Sequence, residues 1–346
     1  MIVTGSSDCT VKLWSIPEDV KSGHIDNCLT TLEGHSKRIL FTTFHPAASN
    51  VLAVADFDKS MMIWDLEKND EPINRFDFDK PITDLKWRFD GSALGVLTRD
   101  QRMQVMDPRS SDKANGVLFE DCHQGAKAMK MAFIDSFERI FTFGVGRTNA
   151  REFKVWDIRN PSKALDKTTY DRGSGTLIPF YERSTNLLFV AGKGDSSMKI
   201  LEAFEADPFA AIHSQVSFGE SAVGYCVLPR RSLDTKKCEV ARILRLTTTS
   251  IQPLSLRIPR RATNFQKDLY KDDVAGIPSM TASQYFSGES KPPVLTSLDP
   301  AKQNGAGGES NGSGKSRADV ERELAVAKRK LRILKAEVSL YKSQLK

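Results

Sequence analysis

The chain has 346 residues, 40% of them hydrophobic, which is enough to bury a large core. Its 50 Lys and Arg against 44 Asp and Glu leave a net charge of +6, a mild bias toward acidic partners that is too weak to single out a polyanion. Cys9, Cys28, Cys122, Cys226 and Cys238 are scattered without a C-x-x-C pair. That spacing suggests neither a zinc site nor a disulfide framework and suits a reducing, cytoplasmic setting. No apolar run reaches the roughly 18 residues of a membrane span, and the first residues lack the basic-then-apolar order of a signal peptide.

Short apolar strands ending on a bulky residue recur along the chain. Val11–Ile16 carries Trp14, Ser60–Leu66 carries Trp64, and Phe153–Ile158 carries Trp156. Met103–Asp107 and Met198–Leu201 are weaker echoes. Asp8, Asp58, Asp100 and Asp195 each precede the bulky residue by a constant interval and predict a turn. A period of roughly 42–50 residues with this Asp turn is the mark of β-propeller blades of the WD-repeat kind, whose four-stranded sheets bury both faces only by stacking.

In chain order, residues 2–16 supply two strands, half a blade. A full unit follows, with strands near Cys28–Leu32, Ile39–Phe44, Val51–Ala55 and Met61–Leu66. Gly34-His35 lies between its first two strands, so His35, Asp58 and Trp64 are expected to form a buried hydrogen-bonded cluster, since buried polar groups need partners. Further units run from Ile73 to Asp107, Val117 to Ile158, Ala164 to about Ala203 and Ile212 to about Ile258, the last with an excursion from Arg230 to Glu239. The fold class is all-β, with about five and a half blades in residues 1–259. Closing a ring of seven would take another blade and a half ahead of Met1, so the propeller is expected to be N-terminally incomplete.

Residues 260–298 lose the strand pattern yet keep Phe265, Leu269, Tyr270, Tyr285, Phe286, Val294 and Leu295, which predicts an extension packed on the propeller. Residues 299–317 are rich in Gly, Ser and Asn and read as a linker. Gly314-Lys315-Ser316 there resembles the end of a phosphate-binding loop, but Glu309 occupies the position of the required glycine and no strand precedes it. In residues 318–346, Val320, Leu324, Ala327, Leu331, Leu334, Val338, Tyr341 and Leu345 alternate at spacings of four and three, the seam of an α-helical coiled coil. Glu323 and Glu337 pair favourably with Lys328 and Lys342 across a parallel seam, which predicts a homo-oligomer.

The order of parts is specific. A repeat propeller, the extension Phe265-Gln266-Lys267-Asp268-Leu269-Tyr270, a linker and a terminal coiled coil together resemble the coronin family. Ser7-Asp8-Cys9-Thr10-Val11, Phe153–Arg159 and Pro259-Arg260-Arg261 add to the likeness, which covers essentially the whole chain. The resemblance implies a seven-bladed propeller protein of the actin cytoskeleton and cell cortex. It implies actin filaments and the branched-actin nucleating complex as partners, oligomerisation through the coiled coil, and a role in filament turnover. The family's basic actin-binding stretch on the first blades has no counterpart here. Tyr285 stands where the family's extension usually has Trp, and the window Lys330–Lys335 carries Lys where trimer-type coiled coils have Glu, leaving dimer or trimer open.

The densest basic residues are Arg230, Arg231, Lys236, Lys237, Arg242, Arg245, Arg257, Arg260 and Arg261. Arg230, Arg231, Lys236, Lys237, Arg260 and Arg261 are candidates for contact with a filament or an acidic lipid. Basic clusters without interleaved aromatic platforms argue against nucleic acid. No enzyme is predicted, and no cofactor or metal: histidines 24, 35, 45, 123 and 213 are scattered, and Cys122-His123 lacks a third partner. The alternative reading is a WD-repeat scaffold for other complexes that does not bind actin.

Overall fold

A computed structural model describes residues 1–16, 25, 27–68, 71–111, 116–261 and 264–305. Six antiparallel sheets follow one another along the chain, with a two-stranded ribbon, Asp273–Val274 with Leu295–Thr296, beyond them. The first sheet holds Ile2–Gly5, Val11–Trp14 and Thr30–Leu32; the second holds Ile39–Phe44, Val51–Asp56, Ser60–Asp65 and Asn74–Asp77. The third to fifth repeat that four-stranded order. The sixth has three strands, Gly224–Val227, Glu239–Leu246 and Ile251–Arg257.

The sequence repeats are out of phase with these sheets by one strand. Thr30–Leu32, the first strand of the second repeat, pairs with Val11–Trp14 of the first sheet (Val11 opposite Leu32). Asn74–Asp77, Gly116–Phe119, Asp166–Asp171 and Ala210–Ser217 likewise close the sheet before them. The expected amount of about five and a half blades stands, as four four-stranded and two three-stranded sheets among the described residues, and only its division into units shifts by one strand. The pairing shows the reason: each such segment hydrogen-bonds the open edge of the strand before it, as Phe76 does opposite Met61, and the chain then passes on to the next sheet.

Consecutive sheets stack face to face, and each junction is an apolar cluster. Leu13 and Leu32 meet Leu52 and Trp64 at the first junction. Ala132, Phe141 and Phe153 meet Leu177, Leu188 and Leu201 between the fourth and fifth sheets. Covered on both faces, the middle strands Val51–Asp56 and Ser60–Asp65 are buried along their whole length, whereas the edge strand Asn74–Asp77 buries only Phe76. Asp8, Asp58, Asp100 and Asp195 all lie in the turns ahead of the strands that carry the bulky residues. After the first three of them, Cys9, Lys59 and Gln101 adopt φ of 70°.

The polar clusters inside the blades differ from the expected set. In the fourth sheet, Trp156 Nε1 donates to Thr142 Oγ1 at 2.9 Å, and His123 lies 3.0 Å from that hydroxyl and 3.1 Å from Glu152. Every member is satisfied. In the second sheet the partner of His35 is Asp56, at 2.8 Å, not Asp58. Asp56 also accepts from the Ser60 hydroxyl at 2.8 Å, while Asp58 sits in the turn and accepts from Ser36. Asp56 is the last residue of a fully buried strand, and the turn carries Asp58 away from the histidine.

Trp64 also stands apart from that cluster. Its Nε1 and His35 Nε2 are buried without a hydrogen-bond partner. Register explains why. Trp156 pairs with Ile140, and Thr142 lies two residues on; Trp14 pairs with Ile2, and Thr4, two residues on, accepts its indole proton at 2.8 Å. Trp64 pairs with Leu52, so the matching position is Val54. Where the bulky residue is Met106 or Leu201, the matching residues are Val96 and Val190 and nothing is left wanting. The second sheet alone combines a tryptophan with a valine. A buried Val→Thr change ordinarily costs stability because the hydroxyl must be desolvated. Val54→Thr should instead stabilise the protein, by about 1–2 kcal/mol, because two orphaned nitrogens gain a partner. Urea denaturation of the variant beside wild type measures this, and a loss of stability would refute the register argument.

The extension crosses the face formed by the loops between first and second strands. Near its start Leu269 and Tyr270 join the cluster of the fifth and sixth sheets, and Tyr270 Oη donates to Glu239 O at 2.9 Å. Arg183 Nη2 reaches Asp272 O at 2.7 Å, and Lys271 N donates to Ser184 Oγ at 3.0 Å. Further on, Ser279 N donates to Ala47 O and Ser49 N to Met280 O, tying the chain to the second sheet. Thr281 and Gln284 then form a reciprocal capping box that starts the short helix Ala282–Phe286. Of the anchors expected from sequence, Leu269, Tyr270 and Tyr285 are buried and Phe265 and Phe286 partly so. Val294 and Leu295 are exposed, while Met280, Ala282 and Leu298 are buried.

Candidate functional site

The basic residues singled out by density in sequence do not form one face. Arg230 is mostly buried, with Nε 3.1 Å from Glu182, and its Nη atoms reach the Leu269 and Lys271 carbonyls. It therefore fastens the extension to the propeller. Arg242 grips Glu239 through two hydrogen bonds; burial by itself would raise that carboxyl, but Arg242 together with the Asp234 N–H and Ser255 holds it down to about 2. Arg245 is buried, donating to Gln252 and to Glu220 O, with its guanidinium 3.7 Å from the Phe218 ring centroid. Lys237 pairs with Asp234 at 3.1 Å and Arg260 with Asp268 at 2.7 Å. Arg231, Lys236, Arg257 and Arg261 remain exposed. Charges dense in sequence thus divide between structural fasteners and a few exposed cations.

A second concentration of charge is invisible along the chain. The first strands of the second to fifth sheets start beside one another around a cavity of about 550 Å³. Its lining includes Phe41, Ile82 and Ile178 together with Arg99, Lys127, Lys130 and Lys193, and no carboxylate. Lys130 Nζ is held by Asp84 at 3.0 Å and Thr83 O at 2.8 Å, and Lys127 Nζ donates to Ser174 O at 2.6 Å. Arg99 and Lys193 are exposed and make no side-chain hydrogen bond or ion pair among the described residues. Phe57, 44% exposed, sits at the rim under the Arg38 guanidinium, 4.5 Å from its ring centroid.

The described histidines serve the fold. His45 accepts from the Ala47 and Ala48 N–H groups at 3.0 and 2.7 Å and faces Gly91 O at 3.0 Å. Those two donors fix Nδ1 as the unprotonated nitrogen, and burial pushes the imidazole down to about 4. Burial also lowers His35 and His123. His213 pairs with Glu202 on an edge strand, and no group of metal-ligating side chains occurs among the described residues. The heptad residues Val320 to Leu345 lie outside the described residues.

Comparison with known proteins agrees with this architecture. The WD domain, G-beta repeat family matches residues 1–15 and 26–65, and a type of WD40 repeat matches residues 251–293, reaching into the extension. The chain is 32% identical to human Coronin-2A over 309 residues, 87% of this chain and 58% of that protein. It is 34% identical to Coronin-A of Dictyostelium discoideum over 85% of this chain and 65% of that one. Among solved structures, the WD40 domain of Toxoplasma gondii coronin aligns with a TM-score of 0.80 at 31% identity, covering 86% of this chain and 77% of that one. The chain spans between half and two thirds of the length of these curated relatives. With the blade order, the extension and the identity all agreeing, the chain is a member of the coronin family, built on an all-β WD40 propeller.

Proposed function

We propose that this chain is an actin-filament-binding, oligomerising regulator of the cytoskeleton, acting in the cytoplasm and at the cell cortex. The observation that carries the reading is coronin likeness across more than four fifths of the chain. The propeller supplies a weak filament contact, and residues 318–346 supply multivalency through the heptad seam. Tethering modules raises avidity by about 10²–10⁴ without any new contact, which suits a filament offering many copies of one site. Modulation of branched-actin nucleation and contact with acidic lipids belong to the same reading. The candidate contact residues are Arg231, Lys236, Lys237, Arg260 and Arg261. Arg230, proposed with them from sequence, is better tested apart, because reversing its charge would also release the extension from Glu182.

Actin co-sedimentation of the full chain, beside a version lacking residues 318–346, tests this. Full-length binding that drops at least about tenfold without the tail is the expected result. Absence of pelleting by both versions, each cooperatively folded, would overturn the reading and favour the scaffold alternative.

A further inference from the structure

The cavity ringed by the first strands has two chemically distinct parts. Its floor is apolar, built from Leu40, Phe41, Ile82 and Ile178. Its rim is cationic. Lys130 is neutralised by Asp84, but Arg99, Lys127 and Lys193 face no carboxylate across the lining. Phe57 stands exposed at the rim, under the Arg38 guanidinium. In a chain whose acidic residues nearly equal its basic ones, a pocket lining with four cations and no anion departs from the average surface. Ligand sites of roughly 300–1,000 Å³ usually combine an apolar lining with a few placed polar groups, and this cavity has both the size and the composition.

We propose that this mouth is a binding site for an acidic peptide segment carrying one bulky apolar side chain. The apolar side chain enters the floor against Phe41, Ile82 and Ile178 and packs on Phe57. Carboxylates on either side of it meet Arg99, Lys127 and Lys193. A purely phosphorylated ligand would use the rim but leave the floor wet, so the floor is what favours the peptide. The site is distinct from the filament-contact residues proposed above, and binding to it does not require that filament reading to hold.

The test is fluorescence anisotropy of the full chain with a fluorescein-labelled peptide of sequence EEDFEDE. Saturable binding that weakens with salt is expected. Replacing the peptide's Phe by Ser should weaken it by about 10- to 100-fold, the factor for losing one buried aromatic side chain. The double variant R99E/K193E should weaken it at least about tenfold, because two rim charges are reversed. Both positions are exposed, so melting should be unchanged. The variant K163E/R257E alters net charge equally at exposed sites outside the cavity lining and should bind like wild type. The proposal is overturned if EEDFEDE shows no saturable binding, or if both double variants weaken it alike. It is also overturned if the Ser peptide binds as tightly as the Phe peptide while inositol hexakisphosphate displaces both, which would mark a site for anions alone.

Discussion

Tyr285→Ala should cost about 3–5 kcal/mol, the range for truncating a fully buried aromatic residue. Tyr285 is 2% exposed and lies 4.4 Å from the His45 ring and 6.5 Å from Trp87, with the Arg109 guanidinium 5.0 Å from its own ring centroid. It is the point at which the extension grips the second and third sheets, so its loss undoes a fastening as well as creating a cavity. Tyr285→Phe should be neutral or slightly stabilising, because the Tyr285 hydroxyl is buried without a hydrogen-bond partner. The pair separates ring packing from the hydroxyl. Urea denaturation of both variants reads the difference, and a Phe variant as weak as the Ala variant would sink the explanation.

Acid should destabilise the fold before its carboxylates titrate. His45 is neutral and buried, its folded-state value down at about 4 against 6.5 when unfolded. The unfolded chain therefore takes up a proton first as pH falls. Stability from this group is complete above pH 6.5, is lost between pH 6.5 and 4, and changes no further below that. At 1.36 kcal/mol per unit the loss is about 3 kcal/mol. The groups facing His45 oppose one another, Arg109 disfavouring its protonation while Asp90 and Asp107 favour it. His35 and His123 are depressed too and add in the same direction. Denaturant midpoints at pH 7.5 and 4.5 should differ for wild type and differ less for His45→Gln. An equal pH dependence in the two proteins would remove His45 from the account.

What was legible in sequence was whatever repeats. Trp14, Trp64 and Trp156 each lie near the end of a strand, and Asp8, Asp58, Asp100 and Asp195 all fall in the tight connections between strands because turn chemistry is local. The phase between repeat and sheet was not legible, since a strand's own residues do not say which neighbour it pairs with. Asp58 has the repeat's spacing, and that spacing alone points to it as the partner of His35. The actual partner, Asp56, stands two positions earlier at the end of a strand. His123 looked isolated because its partners Thr142 and Glu152 come from two other strands. The basic cluster shows the converse error, for adjacency in sequence concealed that Arg230 and Arg242 are occupied by Glu182 and Glu239. Arg99, Lys127 and Lys193 belong to three different repeats, and only the stacking of sheets brings them to one rim.

The one-strand offset means that the unit of inheritance and the unit of folding overlap without coinciding. No cut at a repeat boundary releases an intact blade: each such cut strips an edge from the sheet behind it. Conversely, a whole repeat can be gained or lost with every new junction joining strands of equivalent position, so ring size can drift by integers while the seams stay familiar. A boundary for a shorter functional fragment of this chain therefore belongs after the edge strands, at positions such as 78 or 218, and not where the repeats begin.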